Sequence, residues 1–187
     1  MSSRVGKLAA AYRQHLTVPW QVGLAAIQRV IFAVYDKADE LRLRANVGEF
    51  ELATQQAGKQ WLLLDVTDAF PQWMASQEYR DAYFESPEDL AGYQTGELTE
   101  FVTDLTTKLK ARIFEEAGSD TVIALLGVGS LFGLARVSSV VEGIKESVAG
   151  RLLVFFPGEY HPENHSYRLL DARDGWNYLA VPLLAKD

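Results

Sequence analysis

The chain contains no cysteine, and only 2 methionines, 3 histidines and 6 prolines among 187 residues. Without thiols there is no disulfide framework, no thiolate zinc site, no iron–sulfur cluster and no cysteine nucleophile. Such usage suits a reducing compartment, so a cytoplasmic location is expected. Basic residues are outnumbered: 18 Lys and Arg stand against 25 Asp and Glu, a net charge of −7. That balance repels a phosphate backbone and an anionic lipid surface, so neither direct nucleic-acid binding nor membrane binding is expected. No stretch reaches the roughly 18 apolar residues of a membrane span, and the opening MSSRVGKLAAAYRQHLT has basic residues but no continuous apolar leader core.

What is present is a composition of 48% hydrophobic, 11% aromatic and 23% charged residues. A chain of this length buries about 70% of the surface that its unfolded form exposes, so a single domain over 1–187 can hold a sizeable core without staples. Val5, Leu8, Ala9, Tyr12 and Leu16 recur at the period of one helical face, which predicts a helix ending by Thr17, before Pro19. The β-branched and aromatic run Val30–Tyr35 predicts a buried strand, after which Asp36 or Asp39 can cap a helix over 41–56 that Gly58 stops, although the alternation Leu41-Arg42-Leu43-Arg44 fits an edge strand nearly as well. Trp61 to Val66 is apolar on both faces and reads as a central strand, with Thr67 or Asp68 capping a helix over 69–84.

After a polar break at 85–89, Leu98, Phe101, Val102, Leu105, Leu109 and Ile113 form the stripe of a long helix, on whose surface Asp104 and Lys108 can pair. Thr121 to Leu126 predicts another buried strand, and Ser130 a cap for a helix running through Leu134, Val137, Val141, Ile144 and Val148 to Gly150. Arg151 to Phe156 follows as a strand and Pro157-Gly158 as a turn. Tyr167–Leu170 and Tyr178–Leu183 are then expected to pair around Asp174-Gly175. Strands alternating with helices predict an α/β fold. Its expected form is a mostly parallel sheet with helices on both faces, Rossmann-like or degenerate P-loop-like, closed by a short antiparallel strand pair.

Gly127-Val128-Gly129-Ser130 lies between a strand and a predicted helix, where glycines let backbone amides approach a phosphate within the helix dipole. The spacing is neither G-x-G-x-x-G nor G-x-x-x-x-G-K-[ST], so a tight turn with a serine cap is the simpler account. In the phosphate-binding alternative, Gly127, Gly129 and Ser130 form the cradle, Arg136 clamps the anion and Asp65 holds magnesium. Glu159, His161, Glu163 and His165 place metal-ligating side chains in one polar loop, whose Pro and Gly content also fits a plain solvated turn. Ser130 lacks a nucleophile elbow, and no complete hydrolytic triad can be assembled. Accordingly no catalytic residue, metal or cofactor is assigned. Trp20, Trp61, Trp73, Tyr79, Tyr83 and Phe84 read as core or interface anchors, with no basic stripe beside them to stack nucleic acid.

Leu126-Gly127-Val128-Gly129-Ser130-Leu131-Phe132, then Arg136, then Leu153-Val154-Phe155-Phe156-Pro157-Gly158-Glu159-Tyr160 and Asn177-Tyr178-Leu179-Ala180 together resemble the BrxB family of BREX phage-defence systems. The segment Ile31–Asp36 with Asp39, Glu40, Leu41 and Arg44 is similar to that family's opening strand and acidic turn. The resemblance implies an α/β scaffold without an assigned reaction. Its implied setting is a bacterial anti-phage system, beside larger BREX components that include the phosphatase-fold protein PglZ. On that basis Phe155, Phe156, Tyr160 and Tyr178 are candidates for the partner interface, together with the 69–84 helix.

Overall fold

A computed structural model describes residues 3–86, 98–170, 172–177 (backbone) and 180–185. Its centre is a parallel sheet in the order β2-β3-β4-β1-β7, formed by β1 (Val30–Tyr35), β2 (Gln60–Asp65), β3 (Thr121–Leu126), β4 (Arg151–His161) and β7 (Val181–Leu183). The helices are α1 (Arg4–Leu16), α2 (Glu40–Ala45), α3 (Val47–Gln56), α4 (Ala69–Ala75), α5 (Arg80–Glu85), α6 (Thr99–Glu116) and α7 (Val137–Ile144). Strands β5 (Ser166–Leu169) and β6 (Ala172–Asn177) complete the sheet as an antiparallel extension of β4.

Alternation along β1 sends Val30, Phe32 and Val34 to one face of the sheet and Ile31, Ala33 and Tyr35 to the other. The second face is covered by α1, α2 and α3, where Phe50 lies edge-on to Phe155 at 4.9 Å and 5.4 Å from Tyr12. The first is covered by α6, α7 and the β5–β6 hairpin, where Tyr167 meets Phe32 edge-on at 4.7 Å. Each such buried ring or branched chain contributes about 1.5–3 kcal/mol, so the two clusters dominate stability. The split follows from handedness. The chain leaves β1 for the far edge at β2, then steps back through β3 to β4, and right-handed crossovers in opposite directions need opposite faces.

Several local expectations are corrected. The helix over 41–56 is two helices, broken at Asn46, whose side chain donates to the Arg42 carbonyl at 2.7 Å. The 69–84 helix is likewise divided into α4 and α5. Strand β2 is an edge strand, not a central one: Leu62 and Leu64 are buried while Leu63 is 38% exposed. Ser130 caps no helix, because a 3-10 turn spans Val128–Leu131 and α7 starts only at Val137, with Arg136 at its N-cap instead of six residues inside it.

Pro157-Gly158 is not a turn. The strand β4 runs straight through it from the parallel sheet into the antiparallel hairpin, and a Cβ on Gly158 would lie 1.9 Å from the Arg168 carbonyl oxygen. The antiparallel C-terminal pair exists, but as β5–β6, while Val181–Leu183 returns to pair in parallel with β1. Asp174-Gly175 lies within β6, and Tyr178 falls outside the described residues.

Candidate functional site

The carboxyl ends of the parallel strands gather the acidic strand exits. At the end of β2, Asp65 Oδ1 accepts from the Thr67 amide at 2.9 Å and from the Thr67 hydroxyl. Arg44, projecting from α2, joins Asp65 Oδ2 at 3.3 Å, the Thr67 hydroxyl at 2.7 Å and, through Nε, Glu40 at 2.7 Å. Glu40 in turn accepts from the Tyr35 hydroxyl at the end of β1. Burial works against the Arg44 charge, but Glu40 and Asp65 outweigh it and hold the guanidinium protonated above arginine's ordinary value. Burial, then the Glu40 contact, pushes the Tyr35 hydroxyl far above the usual phenol range.

This network fills the space beside the glycine turn. Gly127 has φ +85°, and a Cβ there would stand 2.3 Å from the Thr67 hydroxyl oxygen and 2.7 Å from Asp65 Oδ1. Glycine is therefore required both by its left-handed backbone and by the close approach of the β2 exit. The Ser130 hydroxyl, with one proton to give, lies 2.8 Å from the Gly127 carbonyl and 3.2 Å from that of Val66. Gly129 stands against Pro157, its missing Cβ 3.2 Å from the Pro157 ring. The Gly-Val-Gly and Phe-Phe-Pro-Gly elements thus meet, and the turn joins the ends of β2, β3 and β4. Arg136 is exposed at the start of α7, beyond the intervening 132–135 segment.

A cleft of about 490 Å³ opens beside this joint, between the exit of β1 and the projecting half of β4, lined by Asp36, Lys37, Glu159, Tyr160, His161 and Leu170 among others. It lies at a switch point: β1 and β4 are neighbours, yet their continuations go to opposite faces of the sheet, the geometry at which open α/β sheets bind ligands. Asp36 is engaged by Arg4 at 3.1 Å and by the Ala38 amide at 2.9 Å. His161 sits between Glu163 at 3.1 Å and Glu159 at 3.5 Å, whereas His165 pairs with the Tyr160 hydroxyl at 2.9 Å. The four loop residues thus divide into two sets, and no group of three or more His, Asp or Glu among the described residues is placed to hold a metal ion.

The interface candidates fare differently. Phe155 and Phe156 are fully buried on opposite faces of β4 and cannot meet a partner in this fold, because they fill the two cores. Tyr160 is half-buried at the cleft. In the 69–84 region Tyr79 and Phe84 are 70% and 69% exposed, as an interface anchor requires. Sequence reasoning missed the convergence of Arg44, Asp65 and Thr67. The Glu40–Arg44 spacing on one helix was its only local sign.

The amino ends of the strands carry a second polar cluster. Arg151 and Lys59 lie over the Trp20 ring at 4.6 and 4.3 Å, and Arg29 donates to the Val148 carbonyl at 2.6 Å. Burial, then the neighbouring Arg29, lowers Arg151, while burial, then Arg151, lowers His15.

Among the described residues, no helix is long and apolar enough to cross a membrane. Neither a search of curated proteins nor one of solved structures returned a match. The family model described as BREX protein BrxB matches residues 63–183, a span that holds the Gly127 joint and all of β4, while the similar opening segment at Ile31–Arg44 lies outside it. The chain belongs to the BrxB family and is a component of the BREX phage-defence type.

Proposed function

We propose that the protein acts as a non-catalytic adapter within a BREX system and binds a larger component, a PglZ-like phosphatase-fold protein first among them. The observation carrying this reading is the internal use of the Gly127 turn. Asp65 and Thr67 occupy the ground beside it, Arg44 neutralises Asp65, and the Ser130 hydroxyl is spent on main-chain carbonyls. The groups that would cradle a phosphate instead lock three strand ends together. The recognition surface in this reading is the rim of the switch-point cleft around Tyr160 together with the exposed Tyr79 and Phe84. A stable interface needs about 1,000 Å² or more with an aromatic centre.

Co-expression with the neighbouring BREX components, followed by size-exclusion chromatography with mass detection, tests the proposal. Co-elution with the PglZ-like protein, unaffected by magnesium and ATP and weakened by Tyr160→Ala or Phe84→Ala, is the expected result. A solitary chain that shifts only with nucleotide overturns it. A second reading, phosphate or nucleotide binding through Gly127, Gly129, Ser130 and Arg136, draws on the place of the Gly127 turn at the carboxyl end of β3, although none of these residues lines the switch-point cleft. It requires Gly129→Ala with Arg136→Ala to abolish ligand binding while folding survives.

A further inference from the structure

The two edges of the parallel sheet are unequally protected. At one edge β7 has three residues and carries Pro182, which has no N–H to offer. At the other, β2 presents six residues without proline, and among the described residues no strand pairs with its outer side. The hydrogen-bond phase is fixed by its two ends. The Gln60 amide donates to the Asp120 carbonyl at 3.0 Å and the Val66 amide to that of Leu126 at 2.9 Å. Even-numbered residues therefore bond inward to β3, and the N–H and C=O groups of Trp61 and Leu63, with the Lys59 carbonyl and the Asp65 backbone, point outward, while the Lys59 amide is taken by the Thr54 carbonyl at 3.1 Å.

We infer that this edge is a self-association surface, on which β2 of a second copy adds in antiparallel fashion with its two-fold axis at Leu62. In this register the outward-bonding residues face one another, Lys59 opposite Asp65 and Trp61 opposite Leu63, each pair occurring twice. Charge supports that choice. Lys59 rests on the Trp20 ring and has no carboxylate within ion-pair distance among the described residues, while Asp65 keeps 44% of its side chain exposed beside Arg44. Apolar matching agrees with it: the exposed Leu63 comes under the half-buried Trp61 of the second copy, on the face of the sheet that carries α1 and α3. The product is a continuous sheet across two chains, independent of the partner bound at the cleft.

The test is sedimentation of the full chain across a wide concentration range, with folding checked by circular dichroism. The expected mass rises from 20.8 kDa toward twice that value, and Leu63→Pro, which removes an outward N–H while sparing the ladder to β3, keeps the chain monomeric. Lys59→Glu, which sets two like-charged pairs across the axis, also prevents association and stands as the readout if Leu63→Pro fails to fold. In a chain without cysteine, Leu62→Cys adds a clean probe. A non-hydrogen-bonded antiparallel pair places Cα atoms about 4.5 Å apart, within disulfide reach, so mild oxidation links two copies. A wild-type chain that stays monomeric throughout overturns the inference, as does a dimer that survives both edge substitutions.

Discussion

At the carboxyl ends of the sheet Arg44 meets two carboxylates, whereas at the amino ends Arg29, Arg151 and Lys59 gather against carbonyls and an indole ring. Both arrangements follow from the direction of the helices. Helices begin near strand carboxyl ends, where their positive poles tolerate Glu40 and Asp65 in close company, and one guanidinium binds those two acids to each other. They end near strand amino ends, where unpaired carbonyls of the last turns already answer a positive charge. Ion pairing at one end and dipole compensation at the other differ in what each removal should cost.

The largest effect is expected for Gly127→Ala, which combines a left-handed backbone with a Cβ driven into Thr67 and Asp65. About 3 kcal/mol of stability should be lost in urea denaturation, and a loss under about 0.5 kcal/mol would show that the joint is not packed as described. Next is Arg44→Met, which leaves Glu40 and Asp65 unneutralised. Because the group is about a third exposed, about 2 kcal/mol is expected in place of the 3–5 of a fully buried pair. Its counterpart Arg151→Met should cost less than about 1 kcal/mol, since it sacrifices a ring contact but relieves Arg29. Equal losses for the two arginines would break the contrast.

The smallest effect concerns acid. Burial and Arg151 hold the folded-state pKa of His15 below its unfolded value, so the unfolded chain takes up the proton more readily. Stability should therefore fall as pH drops through the ordinary histidine range near about 6.5, and level out once the folded form is also protonated. Urea midpoints measured above and below that range should show the decline in the wild-type chain and a flatter response in His15→Gln.

The layering was readable because both its signals are local: β-branched runs such as Val30–Tyr35 and the apolar stripe from Phe101 to Ile113 each occupy one segment. Strand order was not, and β2 shows why. Trp-Leu-Leu-Leu is apolar on both faces as a central strand would be, yet only the pairing of distant segments makes it an edge. Pro157-Gly158 misled for a related reason. Its glycine is there to let β5 approach, a demand set by residues about ten positions later and invisible in the dipeptide itself. The site was partly legible, since Gly127 and Ser130 do occupy the carboxyl edge. That Thr67 and Asp65 fill the ground beside them depends on the parallel pairing of β2 with β3, which no spacing encodes.

The strand order also bears on how the molecule is made. Because β1 sits between β4 and β7, it is synthesised ahead of both its neighbours, lacks one until the chain has passed residue 150, and stays open on its other side until β7 follows. Among the described strands of the parallel sheet, β2 and β3 find each other early. The nascent chain must carry Val30–Tyr35, wholly apolar, until β4 has been made, and closure of the sheet is a long-range event of the kind that folds slowly and draws on chaperones. Expression should therefore respond more to the speed of synthesis and to chaperone supply than the stability of the finished fold would suggest.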